Sequence, residues 1–428
     1  MKNILKHSLI AVMLVLVAFS CKKDDNDSVE PITPIYEVSN VENISLPENL
    51  IDIFQKLLDH SSIGSSIDSI IGMIYDDVPY FITPAQLFGT LREHWGDGMS
   101  TGVMKYQSKD VFGNPATLSG RIYIKNTTDK KLKGIIIANH FTICSDDECP
   151  SKKCLEPESI LVPFGYAMVM ADYIGYGSTV DMEHPYLNWE ATATASIDAY
   201  FAMKQYLEDN GYKVGDERYN VGYSQGGEAT MSVLRMVTED YSDQIHFNKS
   251  FVGAGPHSIE ATYDDVIGND FTGIPMAMPM IVNGMNTSYN LGLNLDDVFI
   301  GEMHDNYKKV LSKKHSSLYL SLLFKDHEAS KIFTPSFLDK NDPMTAKFIE
   351  AARKNELVGT WTPKAGEDIY LFHSMEDDMV PFVNSELMGV ALENTDCKLE
   401  EVFGRFGTHI QGMAIFMLSM SGYFAQAD

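Results

Sequence analysis

The sequence is short of basic side chains. It has 33 Lys and Arg residues against 59 Asp and Glu residues, so the formal net charge at pH 7 is −26. A surface of that sign repels nucleic acid and gives no electrostatic hold on an anionic membrane. We therefore expect no nucleic-acid partner, and the acidic excess by itself assigns no chemistry.

The N-terminus lacks an apolar run long enough to span a bilayer. The run at residues 9–19 is too short for a membrane helix, follows Lys2 and Lys6, and ends in AFSC at residues 18–21. Small residues before a cysteine are typical of a bacterial lipobox. We expect residues 1–21 to be a lipoprotein signal peptide and Cys21 to carry lipid after cleavage. A plain secretory signal is the alternative.

A charged and proline-containing stretch follows this segment. KKDDND occupies residues 22–27, and Pro31 and Pro34 come next. Such a composition predicts a tether, which we place at residues 22–50. The membrane partner is then the N-terminal lipid anchor, and the expected location is the outer membrane or cell surface of a Gram-negative bacterium, with the folded part outside the cytoplasm.

Cysteine is scarce, with five residues in the chain. Setting Cys21 aside leaves an even number, and an oxidising compartment would allow two disulfides, at least one of them local, among Cys144, Cys149, Cys154 and Cys397. The acidic residues between the first three cysteines suggest a metal site. Gaps of four residues without a nearby histidine pair fit zinc poorly, so we expect no metal.

The apolar pattern predicts an α/β fold. Helical spacing occurs in residues 51–91, and two alternating segments at 103–110 and 116–124 flank GNP, which indicates a hairpin. Continuous apolar runs at 134–139 and 167–172 are typical of strands buried on both faces of a parallel sheet, and a helical segment at 190–207 suits a crossover.

The sequence GYSQG at residues 222–226 lies between a predicted strand and a predicted helix. A serine between glycines at such a turn is the pattern of a nucleophile elbow, in which the glycines leave room for a strained turn that exposes the hydroxyl. The start of the following helix favours negative charge beside it. Ser224 is therefore the candidate nucleophile.

Several motifs occur together with the elbow. They are DYIGYG at 172–177, HPYL at 184–187, Gly227 and WTP at 361–363. In this order they resemble the secretory lipase family of the α/β-hydrolase superfamily, from about Val103 to the C-terminus. The resemblance implies an α/β-hydrolase core, which we place at residues 51–250 and 365–428, with a mainly helical cap inserted at 251–364. It also implies the order Ser, Asp, His and the hydrolysis of carboxylic esters.

A serine hydroxyl needs a base, and the base needs a carboxylate to orient it. HSMEDDMVP at 373–381 follows a late strand, and the family pattern there puts the acid at Asp377, with Glu376 and Asp378 as neighbouring alternatives. Ser374 stands where glycine is usual. The base is expected on the loop after the last strand, at His409. The competing histidines are His140, His184 and His373.

The oxyanion hole should combine the backbone N–H of Gln225 with one from the loop after the third core strand. That loop, NHFTI at 139–143, offers Thr142, with Phe141 as the alternative. Relatives commonly have glycine where Phe141 stands, so the loop is expected to be less free.

The sequence therefore predicts an exported serine hydrolase that cleaves a small-molecule ester or a lipid through an acyl-enzyme, without a cofactor. A peptidase on the same fold is one alternative, with Glu183, Glu228 or Asp265 as a subsite for an amino terminus. A surface binding lipoprotein without activity is the other. The methionine-rich segment at 274–281 lines either the cap core or an acyl pocket.

Overall fold

The computed structural model describes residues 36–48, 56, 74 and 77–426. The expected signal peptide, Cys21 and most of the expected helical segment at 51–91 lie outside these residues. Among the described residues, no helix combines the length and the apolarity that crossing a membrane requires.

One nine-stranded sheet forms the centre of the protein, in the order β1-β2-β3-β5-β4-β6-β7-β8-β9. Pairing is antiparallel from β1 through β3 to β5 and parallel across the other strands. The strands are β1 Tyr36–Ile44, β2 Met99–Lys109, β3 Pro115–Lys125, β4 Lys131–Asn139, β5 Tyr166–Ala171, β6 Lys213–Tyr223, β7 Lys249–Gly253, β8 Asp368–Ser374 and β9 Lys398–Gly404.

Helices cover both faces of the sheet and fill the connection between β7 and β8. In chain order they are α1 Pro84–Trp95, α2 Trp189–Asp209, α3 Gln225–Asp240, α4 Ile259–Gly268, α5 Ala277–Ser288, α6 Gly301–Leu311, α7 Ser317–Leu323, α8 Ala329–Ile332, α9 Pro335–Leu338, α10 Pro343–Lys354, α11 Val383–Glu393 and α12 His409–Gln426.

Alternate residues of the central strands belong to two different cores. In β4, Ile135 and Ile137 pack with α2 and α3, whereas Ile136 and Ala138 pack with α1 and α12. Successive side chains of a strand point to opposite faces, so a strand covered on both sides is apolar throughout. The predicted strands at 134–139 and 167–172, the hairpin and the crossover helix are confirmed.

Residues 254–367, which we call the helical insertion, connect β7 to β8. They contain α4 to α10, and these helices enclose an apolar cluster of their own. Met276, Met278 and Met280 are buried in that cluster. The expected start of the cap at residue 251 falls inside β7, so the first helical residues come slightly later than the sequence indicated.

Two expectations are wrong. Residues 36–44 of the expected tether form β1, which pairs with β2 at the edge of the sheet. The four cysteines expected to form disulfides are free. Cys144 Sγ lies 3.8 Å from the sulfur of Met280, and Cys154 Sγ lies 3.0 Å from a carboxylate oxygen of Glu42. Their side chains point to separate surroundings, which the spacing of cysteines in a sequence does not reveal.

Candidate active site

Ser224 occupies a strained turn between β6 and α3. Its φ is +60° and its ψ is −126°, a conformation that few residues other than glycine adopt. A β-carbon at Gly222 would overlap the carbonyl oxygen of Gly226, and one at Gly226 would overlap that of Asn139. The glycines of the elbow are therefore required by close approach of the backbone, and the turn presses α3 against the end of β4.

Backbone hydrogen bonds hold this turn in place. The N–H of Ser224 donates to the carbonyl of Gly253 at 2.9 Å, while Gly227 and Glu228 donate to the carbonyl of Ser224 at 2.8 and 3.1 Å. The strain is thus supported by the neighbouring strand β7 and by the first turn of α3. The serine side chain lies above the ends of the parallel strands, where catalytic groups of such sheets collect.

Asp377 lies on the loop after β8 and contacts His409. One of its carboxylate oxygens accepts hydrogen bonds from the backbone of Met379 and Val380, at 2.9 and 2.8 Å. The other lies 2.6 Å from Nδ1 of His409. The three sequence candidates separate clearly, because Glu376 pairs with an exposed arginine and Asp378 accepts from the backbone N–H of His409, at 3.0 Å.

The carboxyl group of Asp377 is ionised. Burial alone would raise its pKa, but the neighbouring imidazoles of His409 and His373 and their hydrogen bonds lower the pKa well below its usual value. An ionised carboxylate accepts only, so Nδ1 of His409 donates the hydrogen, and Nε2 of the neutral imidazole has a lone pair that can accept a hydrogen bond.

The sequence predicted His409 on a loop, but His409 is the first residue of α12. The hydroxyl of Tyr223 donates to its carbonyl at 2.9 Å, and the two rings lie 4.9 Å apart. Because Tyr223 immediately precedes Ser224, these contacts fix the start of α12 beside the elbow. Asp378 at the N-terminus of the helix also complements its dipole.

The competing histidines have other surroundings. His140 stacks on Tyr173 with ring centres 4.1 Å apart, and Nδ1 of His184 lies 2.6 Å from the carbonyl oxygen of Ile174. Burial lowers the pKa of His140 to about 4 and that of His184 to about 3. His373 is buried beneath Asp377. His140 and His184 do not contact Asp377, and His373 contacts it from the side opposite the elbow. Of the four candidates, His409 alone lies between Asp377 and the elbow.

The end of β4 and the loop that follows it, residues 139–143, face the start of α3. Among the described residues, the backbone N–H groups of Gln225 and Thr142 have no hydrogen-bond acceptor, and that of Phe141 has none either. The Thr142 hydroxyl lies 2.7 Å from the hydroxyl of Tyr186. Phe141 has no positive φ, so the loop adopts its path without the usual glycine.

Two residues near the site carry contacts that the sequence did not predict. His373 supports Asp377 from below, with Nε2 at 3.2 Å from Oδ2. The hydroxyl of Ser374 donates to the carbonyl of Gly407 at 2.5 Å and accepts from the backbone of Glu376 and Phe406 at 3.2 Å. The residue that replaces a family glycine therefore joins the loop of Asp377 to the loop before His409. The sequence signal for this role was the serine at position 374, where the family motif has glycine.

The acidic residues considered for an amino-terminal subsite do not converge. Glu183 accepts from Asn283, and Asp265 accepts from Asn269. Glu228 is buried, which raises its pKa to about 8, so it is mostly protonated at pH 7. A neutral carboxyl group attracts an ammonium group weakly, and this arrangement gives the peptidase alternative no support.

A mostly parallel sheet with helices on both faces, and a strained serine between a strand and a helix, define an α/β hydrolase. The model of the secretory lipase family matches residues 159–399, more than half of the chain, and the chain belongs to this family of ester hydrolases. No curated protein sequence matches it.

Solved structures share the fold. The rice cell wall degrading esterase LipA from Xanthomonas oryzae has 21% identity and a TM-score of 0.65, with 79% of this chain and 93% of that chain covered. A Legionella pneumophila protein described as a hydrolase has 21% identity and a TM-score of 0.67, over 77% and 88% of the chains. Candida antarctica lipase A in its closed state has 13% identity and a TM-score of 0.54, over 74% and 75%.

Proposed function

We propose that the chain is an exported serine esterase or lipase in which Ser224, His409 and Asp377 form a catalytic triad. The observation that carries this proposal is the pairing of His409 with Asp377 at 2.6 Å beside the strained elbow of Ser224. Each of the three groups follows a parallel strand of the one sheet: Ser224 follows β6, Asp377 follows β8, and His409, at the start of α12, follows β9. Their chain order agrees with that of α/β hydrolases.

The proposed reaction assigns one role to each of these residues. Nε2 of His409 removes the proton of the Ser224 hydroxyl as its oxygen attacks the ester carbonyl, and His409 then protonates the leaving alcohol. Asp377 holds the imidazole in the required tautomer. Water activated by the same imidazole attacks the acyl-enzyme and releases the acid. The reaction needs no cofactor.

The developing oxyanion requires fixed donors. The unpaired N–H groups of Gln225 and Thr142 support their assignment to the oxyanion hole, and Phe141 is the alternative to Thr142. Gln225 is the first residue of α3, so its N–H also benefits from the positive end of the helix dipole. The helical insertion, which follows β7, would act as the cap over this site.

Family membership also supports export. Residues 1–21 would be the signal peptide, and Cys21 would carry the lipid that anchors the protein in the outer membrane or at the cell surface. Labelling with radioactive palmitate, retained by the natural chain and lost in Cys21→Ser, tests the anchor. Export without labelling of either chain would leave a plain secretory signal.

The catalytic proposal is tested with p-nitrophenyl esters from acetyl to palmitoyl. Ser224→Ala should reduce hydrolysis by about 10⁴-fold or more, because the nucleophile is lost while the fold remains. Ser232→Ala is the matched control, since this buried serine lies on α3 and bonds within its own helix. A folded wild-type protein that neither hydrolyses any ester nor reacts with a fluorophosphonate would refute the proposal and favour a binding lipoprotein.

A further inference from the structure

One short helix of the insertion exposes an apolar face. In α7 the exposed fractions are 70% for Leu318, 45% for Tyr319 and 63% for Leu322. Leu318 and Leu322 are four residues apart and lie on the same side of the helix. Leu320 on the other side is fully buried in the core of the insertion. The helix is thus apolar on both sides. The side with Leu320 packs within the chain, and the side with Leu318 and Leu322 faces the solvent.

The segment of sequence that contains α7 is basic, unlike the chain as a whole. Residues 308–325 contain five lysines and no Asp or Glu, although the chain carries a net charge of −26. Lys314 and Lys325 are exposed just before and just after the helix. Two backbone carbonyls bind Lys313, and an aspartate pairs with Lys308. Nζ of Lys325 also donates to the carbonyl of Leu322, at 2.7 Å. The exposed apolar face therefore has an exposed lysine at each end.

The start of α7 is attached to the loop that follows β4. The backbone N–H and the hydroxyl of Ser317 donate to Glu148, at 3.0 and 2.7 Å, and the N–H of Cys144 donates to the Ser317 hydroxyl at 3.1 Å. Cys144 lies two residues beyond Thr142. The exposed face consequently belongs to a helix that begins close to the proposed oxyanion hole.

We propose that α7, with Lys314 and Lys325, docks the protein on a lipid bilayer that contains anionic headgroups. Leucine side chains enter the boundary between headgroups and acyl chains, tyrosine favours the same depth, and lysines bind lipid phosphates. Two carboxylates also lie near Lys325, since Glu302 accepts from its backbone N–H at 2.7 Å and Asp326 follows it in the chain. Salt screens charges beyond about 10 Å, so the local groups decide the attraction rather than the remaining acidic surface. This docking surface does not depend on which ester the protein hydrolyses.

Vesicle flotation tests the proposal. The full chain is used with Cys21→Ser in every variant, so that no attached lipid contributes and the leader is common to all. We expect more binding to vesicles of phosphatidylcholine with phosphatidylglycerol than to phosphatidylcholine alone, and less at high salt. The double change Lys314→Gln with Lys325→Gln removes two charges and should lower partitioning onto anionic vesicles by roughly thirtyfold. Leu318→Ser with Leu322→Ser should lower binding to both kinds of vesicle.

The matched control is Leu387→Ser with Val390→Ser on α11, whose side chains are 40% and 56% exposed. These residues belong to a helix that contains Glu386 and Glu393 and no lysine or arginine, and their replacement should leave binding unchanged. Equal losses in both pairs, or none in the α7 pair, would overturn the proposal. So would binding that needs the lysines but not the leucines, since that indicates a soluble polyanion. Self-association that only the α7 leucine pair abolishes, with vesicle binding intact, would assign the face to a second copy of the chain.

Discussion

Nε2 of His373 lies 3.2 Å from Oδ2 of Asp377, the oxygen that also contacts Nδ1 of His409. The other ring nitrogen of His373 lies 2.8 Å from the hydroxyl of Ser385. The carboxylate is thus held between two imidazoles, one buried beneath it and one facing the elbow. We infer that His373 is a positioning residue, because it acts through Asp377.

Replacing His373 should slow catalysis without weakening substrate binding. His373→Phe keeps an aromatic ring in the buried position but removes the donor, and we expect kcat to fall about tenfold with KM unchanged. His373→Gln retains a donor and should recover part of the loss. Steady-state kinetics on a soluble p-nitrophenyl ester measure both. Equal losses in the two variants, accompanied by lower thermal stability, would indicate a packing role alone.

Asp377 and Asp378 should respond very differently to the loss of charge. Asp377→Asn favours the wrong tautomer of His409, so kcat should fall by about 10⁴-fold. Asp378→Asn keeps an oxygen that can accept from the N–H of His409, and its effect should be small. The same kinetic assay compares them. A larger loss in Asp378→Asn would mean that the orienting carboxylate has been assigned to the wrong residue.

The glycines of the chain allow a paired stability test. Gly226→Ala would place a methyl group on the carbonyl of Asn139, whereas a β-carbon at Gly89 in α1 meets no atom within 4 Å. We expect Gly226→Ala to destabilise the fold severely and to abolish ester hydrolysis. Gly89→Ala should stabilise it by about 0.5–1 kcal/mol. Urea unfolding gives both values, and an active, stable Gly226→Ala protein would contradict the geometry of the elbow.

Glu228 predicts a pH-dependent stability. Burial raises its pKa to about 8 in the folded protein, against about 4.3 in an unfolded chain. Between these values the unfolded chain releases a proton that the folded one keeps, so stability falls as the pH rises and levels off above about 8. Glu228→Gln removes this loss while its amide oxygen can accept from Ser232.

Thermal midpoints measured at several pH values test this effect. Glu228→Gln should gain stability relative to the natural chain as the medium becomes alkaline, and the two should approach each other in mild acid. Asp240→Asn, an exposed change on the same helix, is the control and should follow the natural curve. A difference between Glu228→Gln and the natural chain that stays constant with pH would exclude titration of Glu228 as its cause.

The sequence predicted the parts of the fold in which local pattern and burial agree. Residues 134–139 are apolar throughout because both faces of β4 are covered. By contrast, β1 reads YEVSNVENI, is largely exposed, and gains its stability from backbone pairing with β2. A polar edge strand carries no periodic apolar signal, so composition alone assigned it to a tether.

The candidate site shows the same division. The elbow and the order of Ser224, Asp377 and His409 could be predicted from short motifs. In the elbow, the motif contains glycines because no β-carbon fits at those positions of the backbone. The contacts of His373 and Ser374 depend on side-chain direction at the end of β8, which no spacing in the sequence determines. The start of α12 at His409 agrees with the bond from Thr408 N–H to Gln411 Oε1 at 2.9 Å, which is one bond of a capping box. The three-residue spacing of Thr408 and Gln411 is the signal in the sequence for this helix start.

The helical insertion also affects the order in which the protein can form. Ser224 precedes the insertion, whereas Asp377 and His409 follow it, and β8 reaches β7 only after the loop of residues 254–367 has closed. Contacts so distant in sequence form slowly compared with the helices between them. The proposed nucleophile and its base therefore meet only after this closure, and a partly folded chain could not yet carry out the proposed reaction.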